Sequence, residues 1–213
     1  MFPERIQTDR LVLEPLTPEY VDVLAFYGHT SHRNPDIEEI TEYLSWDPHE
    51  TPKETLDFLE SREEARAAGE DAGYVVRPAE GEDGAGEIAG AAGLHPDWER
   101  RTATLGTWLR KPFWGRGYSG ERAAVLMEVA FERLDLEVVA VTHQVDNEKS
   151  ERAIRKYVER FGGQHEGLLR NAGLAPDGPV DVRRYSVTRE QWADATGEET
   201  PTVEIVRSGG ETR

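Results

Sequence analysis

The sequence predicts one mixed α/β domain of the α+β kind, a central sheet flanked by helices. Three observations carry this. The 213 residues are enough for one sizeable core. Seven stretches read as strands and six as helices, several with apolar residues at helical spacing. Residues 105–120, LGTWLRKPFWGRGYSG, read as a strand, a Gly-rich turn and a helix start. The domain is expected over 1–196, followed by a polar tail over 197–213.

The elements follow in order. Residues 10–16 alternate apolar and polar and form the first strand. Thr17 and Pro18 are an N-cap and a first helical residue, with Val21, Leu24, Ala25 and Gly28 at helical spacing. A loop over 29–35 leads to a short helix over 36–44, with Ile37, Ile40 and Leu44 on one face. Thr51, Pro52 and Glu54 open a helix that stops at Gly69. Strands are expected over 72–77, 87–94 and 101–109. The helix over 121–134 buries Ala123, Leu126, Met127, Ala130, Phe131 and Leu134. The strand over 138–145 is apolar at first and so central. Asp146 or Asn147 caps a helix to Phe161, ended by Gly162 and Gly163. Strands over 164–170 and 180–187 and a short helix over 189–195, capped by Thr188, complete the domain.

The turn after residue 109 is an anion site by construction. The first amides of a helix have no partner inside it, glycines let a ligand approach the backbone, and the helix dipole adds positive potential. Two phosphate motifs fit poorly. No Lys-Ser or Lys-Thr follows the glycines, as a nucleotide P-loop requires. Gly115, Gly117 and Gly120 match GxGxxG by letter, which is weak evidence alone.

The order of motifs is more informative. Thr8-Asp9-Arg10-Leu11-Val12-Leu13-Glu14-Pro15-Leu16, Gly106-Thr107-Trp108, Trp114-Gly115-Arg116-Gly117-Tyr118-Ser119, Asn147-Glu148-Lys149-Ser150 and Glu166-Gly167-Leu168-Leu169-Arg170 occur in that sequence. Together they resemble the GNAT N-acetyltransferases, in particular the RimJ/RimL-like branch that acetylates ribosomal-protein N-termini. Three departures stand out. Ser119 replaces the usual Gly or Ala, Thr104 stands where relatives often have Glu, and Val158-Glu159 stands where they place Gly-Phe.

The resemblance implies a mixed, mostly antiparallel sheet of about seven strands, with the fourth and fifth splayed apart. Acetyl-CoA is the implied co-substrate. Its pantetheine arm would pair with Thr107, Trp108 and Leu109, one amide near Trp108 polarising the thioester carbonyl. Its pyrophosphate would sit on amides of Gly115, Arg116, Gly117, Tyr118, Ser119 and Gly120, with Arg110, Asn147 and Ser150 alongside. Three of the four lysines, Lys111, Lys149 and Lys156, fall beside this site. They read either as a cationic cluster for the coenzyme or as partners of neighbouring acids.

The implied reaction is direct attack of an amine on the thioester. Ser150 is the implied donor to the leaving thiolate, or simply the third residue of its helix. Tyr157 is a second donor, or a core residue. The proton acceptor is open among His143, Asp146 and Glu87. His29, His32, Trp46 and His49 are acceptor-side residues by family position, or ordinary loop and helix-end residues. No metal site is expected, since no third ligand lies near His29 and His32.

Composition narrows the setting. Net charge is −17, with 25 Lys and Arg against 42 Asp and Glu, so the general surface repels nucleic acid. The acid excess suits a halophilic microbe or attracts a cationic substrate. Cysteine is absent, and no apolar run nears 18 residues, so a cytoplasmic protein without signal peptide or membrane span is expected. The expected partners are an amine-bearing acceptor, either a peptide or protein N-terminus or a small amine, and a second copy in a homodimer. The alternatives are a non-catalytic acyl-CoA-binding sensor and a small-molecule or polyamine acetyltransferase.

Overall fold

A computed structural model describes residues 1–197 and 204–206. The strands are β1 (Arg5–Gln7), β2 (Leu11–Pro15), β3 (Ala72–Pro78), β4 (Gly90–Asp97), β5 (Thr102–Leu109), β6 (Val138–Gln144), β7 (Gln164–Ala175), β8 (Gly178–Thr188) and β9 (Glu204–Val206). The helices are α1 (Val23–Thr30), α2 (Ile37–Thr41), α3 (Pro52–Ala68), α4 (Tyr118–Glu128), α5 (Glu148–Arg160) and α6 (Arg189–Thr196). The strands form one sheet in the order β7-β8-β6-β5-β4-β3-β2-β1-β9.

Alternation along each strand sends side chains to two cores. Tyr74, Val76, Leu94, Leu105, Val139 and Val141 pack beneath Leu126 of α4, Ile154 of α5 and Trp192 of α6. Val75 and Ala91 face the other way, onto Phe26 of α1 and Leu59 of α3. No helix among the described residues is long and apolar enough to cross a membrane.

One strand pair is parallel. β5 and β6 are in register from Thr102 with Val138 to Leu105 with Val141. Beyond that point β5 stays with β4, to Leu109 opposite Gly90, and β6 stays with β8, to Gln144 opposite Val182. The two strands therefore part after Leu105 and Val141, as expected for the fourth and fifth strands of the sequence reading.

Several boundaries differ from expectation. The sheet has nine strands instead of seven. The additions are β1 and β9, which pair with each other, Ile6 opposite Ile205. β9 lies in the expected polar tail; of the rest of that tail only Gly197, the C-cap of the last helix, is among the described residues. α1 starts at Val23 and not near Pro18, because the Thr17 carbonyl closes a single turn onto the amides of Tyr20 and Val21 and the Asp22 carboxylate then caps Ala25, 2.7 Å away. Leu24 is consequently 63% exposed. β4 begins three residues late and runs on through His95, Pro96 and Asp97, which pair with Thr104, Ala103 and Thr102. β7 reaches Ala175, so the expected loop over 171–178 is mostly hairpin.

α4 starts three residues early. Gly117 is its N-cap, in a left-handed conformation with φ of 84°. Its end loosens into a π turn over Val129–Arg133, closed by the Leu134 amide on the Val129 carbonyl. The other caps follow the sequence. Thr51 accepts from Glu54, Asn147 accepts from Ser150, and Thr188 forms a capping box with Gln191.

Candidate active site

The parting of β5 and β6 opens a cleft of about 1390 Å³. Its walls are the β5 edge, the start of α4, the end of β6, one face of α5, the β7–β8 hairpin and the segment from Glu39 to Ser45. Thr107, Trp108, Leu109, Gly115, Gly117, Tyr118, Ser119, Gly120, His143, Asn147, Ser150 and Tyr157 all line it. Twelve residues singled out in the sequence are thus brought to one surface.

The β5 edge offers backbone groups. The Arg110 amide donates to Ala89 on the β4 side, 2.8 Å away. Alternation in an antiparallel ladder then turns the amides of Thr107 and Leu109 toward the cleft and that of Trp108 toward β4. The indole of Trp114 donates to the Leu109 carbonyl at 2.7 Å and fixes the end of this edge.

At one end the cleft meets the Gly-rich turn. The amides from Gly115 to Ser119 have no acceptor among the described residues, while those of Gly120 and Glu121 donate to the Gly117 carbonyl. The turn is braced from the connection between β1 and β2. Arg10 donates from Nε to Glu121 at 2.8 Å and from Nη1 to the Arg116 carbonyl at 2.9 Å, and Thr8 donates to Glu121 at 2.5 Å. Glu121 is therefore bound sideways and leaves the turn amides free. Tyr118 contributes only its backbone, because its ring is buried against Phe113 and its hydroxyl donates to Glu82 at 2.6 Å.

The expected cationic cluster is mostly occupied. Lys111 lies 3.1 Å from Asp36 and 2.7 Å from Glu39, and Lys149 lies 2.6 Å from Glu39. Lys111 and then Lys149 hold the Glu39 carboxyl down to about 2. Arg110 pairs with Glu87 and Arg116 with Asp83, and neither arginine lines the cleft. Lys156, placed beside the site by the sequence reading, does line it, together with Arg152 and Arg160, which that reading passed over; the three stand at four-residue intervals on α5.

Where β5 and β6 part, the α4–α5 side of the sheet is dry. Arg122 of α4 is 1% exposed, has no carboxylate partner among the described residues and reaches the Gly106 carbonyl at 3.4 Å. Its Nε is orphaned, and burial pulls its pKa down. Beside it the Tyr157 hydroxyl is buried without a well-formed hydrogen bond. Burial pushes the Tyr157 phenol up, and the Arg122 charge opposes that shift. His143 is buried and stacks on Tyr185, with Nδ1 donating to the Gln144 carbonyl at 2.8 Å and Nε2 unpartnered. Ser150 is half-buried at the N-terminus of α5, its amide bound to Asn147 at 2.9 Å.

Other candidates lie elsewhere. Asp146 and Glu87 do not line the cleft. Nor do His29, His32, Trp46 and His49; their neighbours Tyr43, Leu44 and Ser45 do. His49 is tied to Thr55 at 2.7 Å, and burial lowers the pKa of both His49 and His29. Trp46 packs edge-on against Trp108, 5.7 Å between ring centres. The sequence reading also passed over His95 and Arg122, both on the cleft wall. Arg122 sits four residues before Leu126 on the apolar stripe of its helix, a polar intrusion that periodicity could have flagged. Gly93 and Gly106, on facing strands, mark a close approach that turns out to be the His95 ring.

Residues 10–157 match the family model described as the acetyltransferase (GNAT) domain. The chain belongs to the GNAT acetyltransferase family. It is 25% identical over 191 residues to an uncharacterized N-acetyltransferase, p20, of Bacillus licheniformis, across 89% of this chain and 99% of that one. It is 37% identical over 109 residues to YdaF of Bacillus subtilis (strain 168), named as a candidate ribosomal N-acetyltransferase, across 50% of this chain and 57% of that one. A solved structure of a candidate acetyltransferase from T. thermophilus superposes with a TM-score of 0.70 at 30% identity, covering 93% of this chain and 96% of that one.

GNAT acetyltransferases use acetyl-CoA as co-substrate, and this chain is an acyltransferase of that kind. The cleft fits such a molecule on its own terms. Free amides before a helix suit a diphosphate, an open strand edge suits an amide-bearing arm, and a buried unpartnered phenol stands at the far end.

Proposed function

We propose that the protein transfers an acetyl group from acetyl-CoA to the α-amine of a protein or peptide N-terminus, in the manner of the RimJ/RimL-like branch. The observation that carries this is the continuous cleft from the free amides of the Gly115–Ser119 turn to the buried Tyr157 and Arg122. The likeness to YdaF supports a ribosomal-protein acceptor.

In this reading the turn amides and the α5 cations hold the coenzyme phosphates. Thr107 and Leu109 hold the pantetheine arm as an added strand. Trp108, whose amide faces β4, acts through its ring, as part of the wall shared with Phe26 and Trp46. Tyr157 donates to the leaving sulfur, its proton favoured there by burial and its anion tolerated beside Arg122. Ser150 and Asn147 shape the start of α5 next to it.

The test is thiol release with acetyl-CoA and a panel of N-terminal peptides, small amines and polyamines. Turnover with peptides supports the proposal. Preference for polyamines supports the alternative that acids at the cleft wall, such as Glu42, recruit a polycation. Coenzyme-dependent thermal stabilisation without turnover on any amine supports the sensor reading and rejects catalysis.

Three expectations accompany this reading. The protein works in the cytoplasm and forms a homodimer, which light scattering checks. Its acid excess is a halophilic adaptation, so its melting temperature falls on transfer from molar KCl to dilute buffer. An unchanged melting temperature rejects the salt adaptation.

A further inference from the structure

We propose that His95, held by the buried Asp71, is the group that takes the proton from the attacking amine. The inference rests on the transferase reading above and adds to it a residue from another strand and the opposite face of the sheet.

The observation is a second polar assembly at the point where β5 and β6 part. His95 stands on β4 directly opposite Thr104 of β5. Its Nδ1 lies 2.9 Å from Asp71 Oδ2, and Arg62 of α3 donates to the same oxygen at 2.8 Å. Asp71 is 5% exposed, whereas the His95 side chain is 45% exposed and lines the cleft. A carboxylate only accepts, so Nδ1 carries the hydrogen and the lone pair is left on Nε2.

The position of Nε2 is set by two missing side chains. A Cβ on Gly93 would lie 2.5 Å from Nε2, and one on Gly106 would lie 3.3 Å from it. The ring therefore rests on the sheet above Gly106, whose carbonyl Arg122 approaches from the other side. A buried acid that fixes a histidine by one nitrogen and leaves the other open is the arrangement that general-base catalysis requires. His143 has an unpartnered Nε2 too, but it is buried and stacked on Tyr185, and its Nδ1 is held by a backbone carbonyl instead of a carboxylate.

The step balances as follows. The amine arrives as an ammonium and loses one proton to Nε2, which returns it to water through the exposed edge of the ring. The nitrogen lone pair then forms the C–N bond at the thioester carbonyl carbon. The C–S bond breaks, its electron pair leaving on sulfur, which takes a proton from Tyr157. The second proton of the former ammonium leaves the new amide through Nε2, and Tyr157 is reprotonated from water that enters the cleft after the thiol has left. The net products are the acetamide, the free thiol and one proton.

The charged groups facing the imidazole are Asp71, from the segment before β3, and Arg62 behind it; Asp97, next on the same face of β4, is held by Arg100. The experiment compares His95→Gln, Gly93→Ala and His143→Gln with the wild type, using acetyl-CoA and the best peptide acceptor. Expected for His95→Gln is a fall in kcat of about 100-fold or more, with the acid limb of the pH profile flattened. KM for acetyl-CoA and its thermal stabilisation stay at wild-type values, which shows that the variant folds and binds. Gly93→Ala, which displaces the ring, lowers kcat in the same way, and added imidazole restores part of the activity of His95→Ala.

Wild-type turnover in His95→Gln overturns this assignment and leaves the transferase reading standing. So does a loss confined to His143→Gln. A wild type that releases no thiol with any amine overturns both.

Discussion

The two faces of the sheet meet at Gly106 with opposite characters. On the α4–α5 face, Arg122, Tyr157 and His143 are buried, each has an unpartnered polar atom, and no carboxylate answers the arginine among the described residues. On the α1–α3 face, His95 is bonded, backed by Asp71 and Arg62, and open to solvent on one side. The difference assigns chemistry by solvation. A group that must keep its proton until sulfur becomes an anion belongs where charge is costly. A group that must pass the substrate's protons to water while the complex is still assembled belongs where water can reach it.

The largest test of this contrast is Tyr157→Phe. It removes the dry-face donor and little packing, so kcat falls about 100- to 1000-fold while KM for acetyl-CoA holds. Steady-state kinetics beside Ser150→Ala check it: a larger loss in the serine variant breaks the contrast. Next is Arg122→Met. Burying a methionine in place of an unpaired cation leaves stability unchanged or raises it by about 1–3 kcal/mol, while kcat drops about tenfold. Denaturant melts and kinetics on the same variant read both. Destabilisation would show that the guanidinium serves the fold.

Gly117→Ala sharpens the contrast at the other end of the cleft. Gly117 has a φ of 84°, and a Cβ at this position would lie 3.4 Å from the Arg10 guanidinium. The substitution costs about 1–2 kcal/mol of backbone strain and weakens acetyl-CoA binding about tenfold, with kcat at saturation nearly unchanged. Calorimetry is the check.

The smallest effect belongs to Glu128, on the same helix as Arg122. Burial raises its carboxyl to about 7, with Arg133 opposing and Glu132 adding to the shift. A folded-state pKa above the unfolded one means that the native state holds a proton that the unfolded chain has released. Stability therefore declines as pH rises from the usual carboxylate range to about 7. Glu128→Gln is neutral near pH 4 and gains about 1 kcal/mol at pH 8, after discounting for its partial exposure. Thermal melts at the two pH values decide it.

What was legible in the sequence was local. Caps at Thr51, Asn147 and Thr188, the bend before α4 and the apolar stripes of α4 and α5 depend on neighbours within a turn or two, and all appear as read. What was not legible depends on distant pairing. His95-Pro96-Asp97 reads as a loop, yet the three pair with Thr102 to Thr104 across a tight turn and extend β4. Asp71, 24 residues earlier in the chain, gives that histidine its role. The cations around the bend could be counted, but Asp36, Glu39, Glu87 and Asp83, which pair with four of them, come from other segments.

The brace of Arg10 on Glu121 spans 111 positions of sequence. The amides that would grip a diphosphate hold their shape only after this long loop has closed, so a partly folded chain has no purchase on the coenzyme. Coenzyme added during refolding would act late, trapping finished molecules by mass action without hastening their formation.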